Sequence, residues 1–125
     1  SMPLLAVSPA SEISPLELYE PTLGIDKTTG LDRKNLRVVI ENGSGKFGKG
    51  SQMVNILRDF GYTVIKLANA DNSDYEGITI KIKKEMIDYE KLLARDLNLA
   101  SYTVATISAD LLETEPADAV VIVGD

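Results

Sequence analysis

The chain has 125 residues, of which 44% are apolar, with 19 acidic and 13 basic side chains for a net charge of −6; this length suits one domain with a core of its own, and the acidic balance argues against nucleic acid or an anionic membrane as a partner. Cysteine and histidine are both absent, which removes disulfides, thiolate chemistry, imidazole bases, His–metal sites and Ser–His triads. No apolar run reaches the roughly 20 residues of a membrane span.

Residues 1–34 hold Pro3, Pro9, Pro15 and Pro21 with serine and threonine between them, and show no sustained period. They read as a linker or a segment that partly drapes on the domain, with Pro15–Tyr19 as a short strand or a single helical turn. No basic stretch followed by an apolar run opens the chain, so no signal peptide is expected there. Ser1-Met2 reads as an expression scar, so a membrane anchor is expected, if anywhere, in a longer protein.

The patterned domain occupies 35–125. Leu36–Glu41 is β-branched and predicts a first strand. Gly48–Phe60 predicts a helix, with Met53, Val54, Leu57 and Phe60 at helical spacing, Ser51 or Ser44 as N-cap and Gly61 as left-handed C-cap. Thr63–Leu67 predicts a second strand, parallel to the first through a right-handed crossover. A polar loop, 69–74, follows. Ile78, Ile80 and Ile82 alternate with Thr79, Lys81 and Lys83, the pattern of a strand with one buried face. Glu85–Leu97 predicts a second helix with Met86, Tyr89, Leu93 and Leu97 on one side, and Thr103–Ile107 a further strand. Ala119–Val123 is apolar throughout, which suits a central strand covered on both faces. The sum is a single small α/β domain: a four- or five-stranded mixed, largely parallel sheet with two main helices.

The glycine-rich turn after the first strand raises the question of phosphate. Gly43, Gly45 and Gly48 match G-x-G-x-x-G, and Gly43 to Lys49 nearly matches a P-loop. A dinucleotide site wants an acidic residue at the end of the second strand, where the sequence has Thr63–Lys66 and places Asp71 beyond. A P-loop wants Ser or Thr directly after its Gly-Lys, but Gly50 follows Lys49 and Ser51 is one place late. Both readings fail on those residues, and the stretch reads as a strand–helix turn.

Other constellations read blandly. Asp71, Asp74 and Glu76 lack the alternating oxygen ligands and the sixth-position glycine of a calcium loop. Lys81, Lys83 and Lys84 read as exposed lysines that discourage edge pairing; the alternative is a patch, with Lys46, Lys49 and Lys66, for an anionic polymer. Asp118 and Asp125 flank the last strand without a partner base or metal and read as caps or surface charges. Tyr62, Tyr75, Tyr89 and Tyr102 are scattered, and partial burial is expected of them.

Taken together, Val38-Val39-Ile40-Glu41-Asn42-Gly43-Ser44-Gly45 with Gly48 resembles the opening of the LytR C-terminal domain family. Leu57–Val64 resembles its helix end, glycine and second strand; Asn69-Ala70-Asp71 with Tyr75 resembles its polar loop; Val120–Asp125 resembles its closing strand and Gly-Asp. The resemblance covers about residues 36–125, and departs from the family at the basic, glycine-heavy turn Lys46–Gly50, where relatives often carry apolar residues. It implies a bacterial, extracytoplasmic, cell-envelope-associated accessory domain, either following a LytR-CpsA-Psr catalytic domain that attaches glycopolymers to peptidoglycan or standing behind a membrane anchor outside this chain. No catalytic residue, cofactor or metal ligand carries over. Two roles are expected in that context: a module that binds cell-wall glycan, peptidoglycan or an anionic wall polymer, with the turn residues Asn42, Gly43, Ser44, Gly45, Lys46 and Lys49 as the candidate site, or one that docks on a LytR-CpsA-Psr catalytic domain or self-associates.

Overall fold

The computed structural model describes residues 24–125; Pro15–Tyr19 lies outside them. Five strands form one sheet: β1 (Arg37–Asn42), β2 (Thr63–Asn69), β3 (Ile78–Ile82), β4 (Val104–Ser108) and β5 (Ala119–Val123). Helix α1 (Lys49–Phe60) joins β1 to β2, and α2 (Glu90–Leu99) lies between β3 and β4. The order across the sheet is β2-β1-β5-β3-β4. Strand β1 is parallel to β2 and β5, β3 is parallel to β4, and only the β3–β5 pair is antiparallel. The mixed, mostly parallel sheet read from the sequence is the one observed.

This topology puts both helices on one face. The β1-α1-β2 unit extends the sheet one way and the β3-α2-β4 unit extends it the other, with β3 running opposite to β1. Two right-handed crossovers related in that way cover the same side of the sheet. The core accordingly gathers Val38 and Ile40 of β1, Ile78, Ile80 and Ile82 of β3 and Ala119, Val121 and Val123 of β5 beneath Met53 and Leu57 of α1 and Leu92, Leu93 and Leu97 of α2. Strand β5 lies at the centre, and all five of its residues are buried, Val120 and Ile122 on the face away from the helices.

Both helices begin differently from the sequence reading. The N-cap of α1 is Gly48, with φ 87° and no side-chain cap; neither Ser51 nor Ser44 serves. Gly61 does close the helix in the left-handed region, φ 111°, its N–H reaching the carbonyls of Leu57 and Arg58. The second helix opens as a 3₁₀ segment, Lys84–Tyr89, and becomes α-helical at Glu90. The chain corners there: the Lys83 N–H donates to Asp118 O, the Met86 N–H donates back to Lys83 O in the short i to i+3 step, and Met86 itself kinks the segment with φ −110° and ψ 17°.

Residues 24–35 are fastened to the domain by buried polar contacts. Arg33 grips the fully buried Asp96 of α2 through Nε (2.7 Å) and Nη2 (3.0 Å), while its Nη1 donates to Gly24 O (3.2 Å). The Tyr62 hydroxyl donates to the same carboxylate at 2.6 Å, and the guanidinium lies 5.9 Å from the Phe60 ring centre and 6.0 Å from that of Tyr62. Nearby, Arg95 pairs with Asp26 at 2.7 Å, and Tyr89 donates to Asp32 O. Burial holds the Tyr62 phenol far above its usual range, with the Asp96 carboxylate adding to the effect.

Candidate functional site

A groove of about 730 Å³ opens where β1 and β2 end and α1 begins. The carboxyl ends of parallel strands are where open α/β sheets place ligands. Its floor and walls come from Asn42 at the end of β1, the turn Gly45–Gly48, Gly50 and Ser51 at the start of α1, Leu67–Asn69 at the end of β2, and the loop residues Ala70, Asn72 and Ser73.

The turn is held by its own side chains. Asn42 Oδ1 accepts from the Ser44 N–H at 3.0 Å and from the Ser44 hydroxyl at 2.7 Å, and Asn42 Nδ2 donates to Lys46 O at 2.9 Å. The Lys46 N–H in turn donates to Ser44 Oγ at 3.0 Å. Gly43 ties the turn to the sheet: its N–H donates to Val123 O and its carbonyl accepts from Tyr75 N–H. A side chain at Gly43 would lie 2.5 Å from the Tyr75 ring, and one at Gly50 would lie 2.6 Å from Leu67 Cδ1. These glycines answer to close packing. Three N–H groups that a phosphate cradle would aim at its ligand, those of Gly43, Ser44 and Lys46, are spent inside the protein.

Of the residues singled out in the sequence, Asn42, Gly45 and Lys46 line the groove, whereas Gly43 and Ser44 are buried supports behind it. Lys49 is the first residue of α1, half-buried and outside the lining. The Lys46 ammonium lies 2.7 Å from Asp125 Oδ1; that bond, with Lys49 contributing at longer range, holds the Asp125 carboxyl below its usual range. Asp125 is therefore the counter-ion of the turn's lysine. Asp118 fastens the start of β5 to the start of β1, accepting the Arg37 N–H at 2.9 Å while its own N–H donates to Arg37 O.

The lysine cluster needs one correction. Lys83 is buried, and its ammonium donates to Glu115 O at 2.6 Å. The alternation at 78–82 ends at Ile82, and the chain turns inward at Lys83 to begin the 3₁₀ segment. Lys83 is thus neither an exposed strand lysine nor part of a surface patch. Of the tyrosines, Tyr62 and Tyr89 are buried and Tyr75 and Tyr102 half-buried.

Sequence reasoning missed Phe47, Ser51, Asn69 and Asn72 as groove residues. Phe47 is fully exposed at the tip of the turn. Its signal was present: a lone aromatic between lysines and glycines in a turn has no core to enter.

Comparison with curated proteins and with solved structures finds no match. A family model described as the LytR cell envelope-related transcriptional attenuator, LytR_C, matches residues 35–125. The matched stretch takes in the entire sheet, both helices and the groove turn, and the chain belongs to this family of accessory domains of cell-envelope proteins.

Proposed function

We propose that this chain is a non-catalytic, extracytoplasmic module that binds a cell-wall glycan or wall polymer in the groove between the ends of β1 and β2. The observation that carries the reading is the groove itself: its volume of about 730 Å³ falls within the usual range for ligand sites, and it is built on a turn whose internal hydrogen bonds fix its shape before any ligand arrives. The family supplies the envelope context. The test is retention of the purified domain on peptidoglycan sacculi and on wall polymer. Wild type is expected to be retained, and Ser51→Trp, which plants a bulky ring on the exposed wall of the groove, is expected to be released. Equal retention of both proteins removes the groove as the site, and no retention of the wild type on either material removes the reading.

One observation favours a second reading, docking on a LytR-CpsA-Psr catalytic domain or on another copy of the chain. Among the described residues, strand β2 is an edge of the sheet, and a register shift opposite Val38/Val39 leaves Ile65 out of the ladder. Ile65 and Leu67 are both more than 40% exposed, beside a smaller groove of about 340 Å³ along α1. An unpaired edge with exposed apolar side chains is a template for another chain. Sedimentation, alone and with the catalytic domain, decides: association that Ile65→Lys abolishes supports docking, and a monomer indifferent to that domain excludes it.

A further inference from the structure

Resting on the groove reading above, we infer that the ligand is an uncharged saccharide bearing amide groups, stacked on Phe47, rather than an anionic polymer. Three observations carry this.

Among the described residues that line it, the groove offers no free charge; Lys49, which reaches Asp125 at longer range, stands outside the lining. Lys46 is the only ionic residue of that lining, and its ammonium is already 2.7 Å from the Asp125 carboxylate. A phosphate or carboxylate ligand would have to share that ammonium with Asp125 and sit beside its like charge. An uncharged ligand leaves the pair intact.

The polar groups on offer are neutral. Ser51 and Asn69 are exposed on the lining, and neither side chain hydrogen-bonds to any described residue. A primary amide offers both a donor and an acceptor and a hydroxyl offers both roles, the complement of sugar hydroxyls and acetamido groups. Asn72 Oδ1 is taken by the Asp74 N–H, so Asn72 mainly holds the loop that forms the far wall.

An apolar platform stands beside them. Phe47 is fully exposed, yet its backbone neighbours are tied down: Lys46 is bonded at both N–H and carbonyl, and Gly48 O accepts the first helical N–H, from Gln52. The stiffened backbone presents the ring to water at a fixed point of the groove, open to the apolar face of a pyranose, with only the ring's own side-chain torsions left to order.

The experiment is calorimetric titration of the domain with N-acetylglucosamine oligosaccharide and, separately, with inorganic polyphosphate. The oligosaccharide is expected to bind with an affinity insensitive to ionic strength, and Phe47→Ala to weaken it by about tenfold or more, the loss that follows from exposing a buried aromatic face; Asn69→Ala weakens it further. Phe47 makes no core contact, so the folded state of its variant is verifiable by circular dichroism. Unaltered oligosaccharide binding by Phe47→Ala overturns the inference. So does binding of polyphosphate without oligosaccharide, or of neither probe. Retention on sacculi, measured in parallel, then decides separately whether the wider wall-binding reading stands.

Discussion

Asp96 has no exposed surface, and three donors from two different parts of the chain converge on its carboxylate: Arg33 Nε, Arg33 Nη2 and Tyr62 OH. Such a group tolerates loss of its charge poorly, because the Arg33 guanidinium would stay buried without a counter-ion. Asp96→Asn is expected to cost about 3–5 kcal/mol in urea unfolding, the range for breaking one side of a buried ion pair. Replacing both partners, as in Arg33→Met with Asp96→Leu, should cost less than the single change, since no orphaned charge remains. A double variant as unstable as Asp96→Asn would show that geometry rather than charge is at stake. Tyr62→Phe removes one donor to a charged acceptor and is expected to lose about 1.5–3 kcal/mol. None of this was legible in the sequence. Arg33 and Asp96 are 63 positions apart, Tyr62 and Asp96 are 34 apart, and each residue type is common on surfaces. Lys46 and Asp125 were equally opaque as a pair: only the fold brings the turn before α1 beside the residues that follow β5.

At the scale of an element, the two ends of α1 separate what a local pattern can give from what it cannot. The C-terminal end was legible because Phe60-Gly61 closes a run of helical spacing, and a left-handed cap is a property of one residue. The N-terminal end was not, because two serines advertised hydroxyls. Ser44 spends its hydroxyl on Asn42 and on the Lys46 N–H, and Ser51 lies inside the helix. The strands were legible for a similar reason: alternation at Ile78–Ile82 and the unbroken apolar run at Ala119–Val123 record which faces are covered. Their order was not, since nothing local says that β5 enters between β1 and β3. The same two glycines give a paired prediction. Both have positive φ, so alanine at either costs about 1–2 kcal/mol of backbone strain. Around Gly48 a Cβ meets nothing within 4 Å, whereas at Gly61 it would lie 2.7 Å from the Cα of Gly24, a backbone atom. Gly61→Ala should therefore lower Tm clearly more than Gly48→Ala and loosen residues 24–32 in hydrogen exchange. Equal losses would mean that the Gly24–Gly61 contact is not a structural constraint.

For the molecule as a whole, the charged groups that matter to stability pull at opposite ends of the pH scale. Asp26 is held well below the usual carboxylate range, first by the Thr29 hydroxyl and then by Arg95, and Asp125 is lowered by Lys46. Between their folded values and the unfolded value of about 3.9, the unfolded chain binds more protons than the folded one, so stability falls as pH falls through that window. Tyr62 works in the other direction. Burial raises its phenol, so its contribution is complete below the unfolded value of about 10 and is lost as pH rises beyond it, where only the unfolded state readily gives up the proton. Tyr89 and Tyr102, raised by burial, and Tyr75, raised mainly by its hydrogen bond to Asp71, add to that limb. The expected profile of unfolding free energy against pH is a plateau with two falling limbs. Asp26→Asn should lower the plateau and flatten the acid limb, leaving the residual slope that Asp125 supplies. Tyr62→Phe should lower the plateau and shrink the alkaline limb to the part owed to Tyr75, Tyr89 and Tyr102. Urea unfolding at a series of pH values, on wild type and both variants, measures each slope directly. An acid limb in Asp26→Asn as steep as that of wild type would remove the Thr29–Asp26–Arg95 cluster as the acid-sensitive fastening between residues 24–32 and α2.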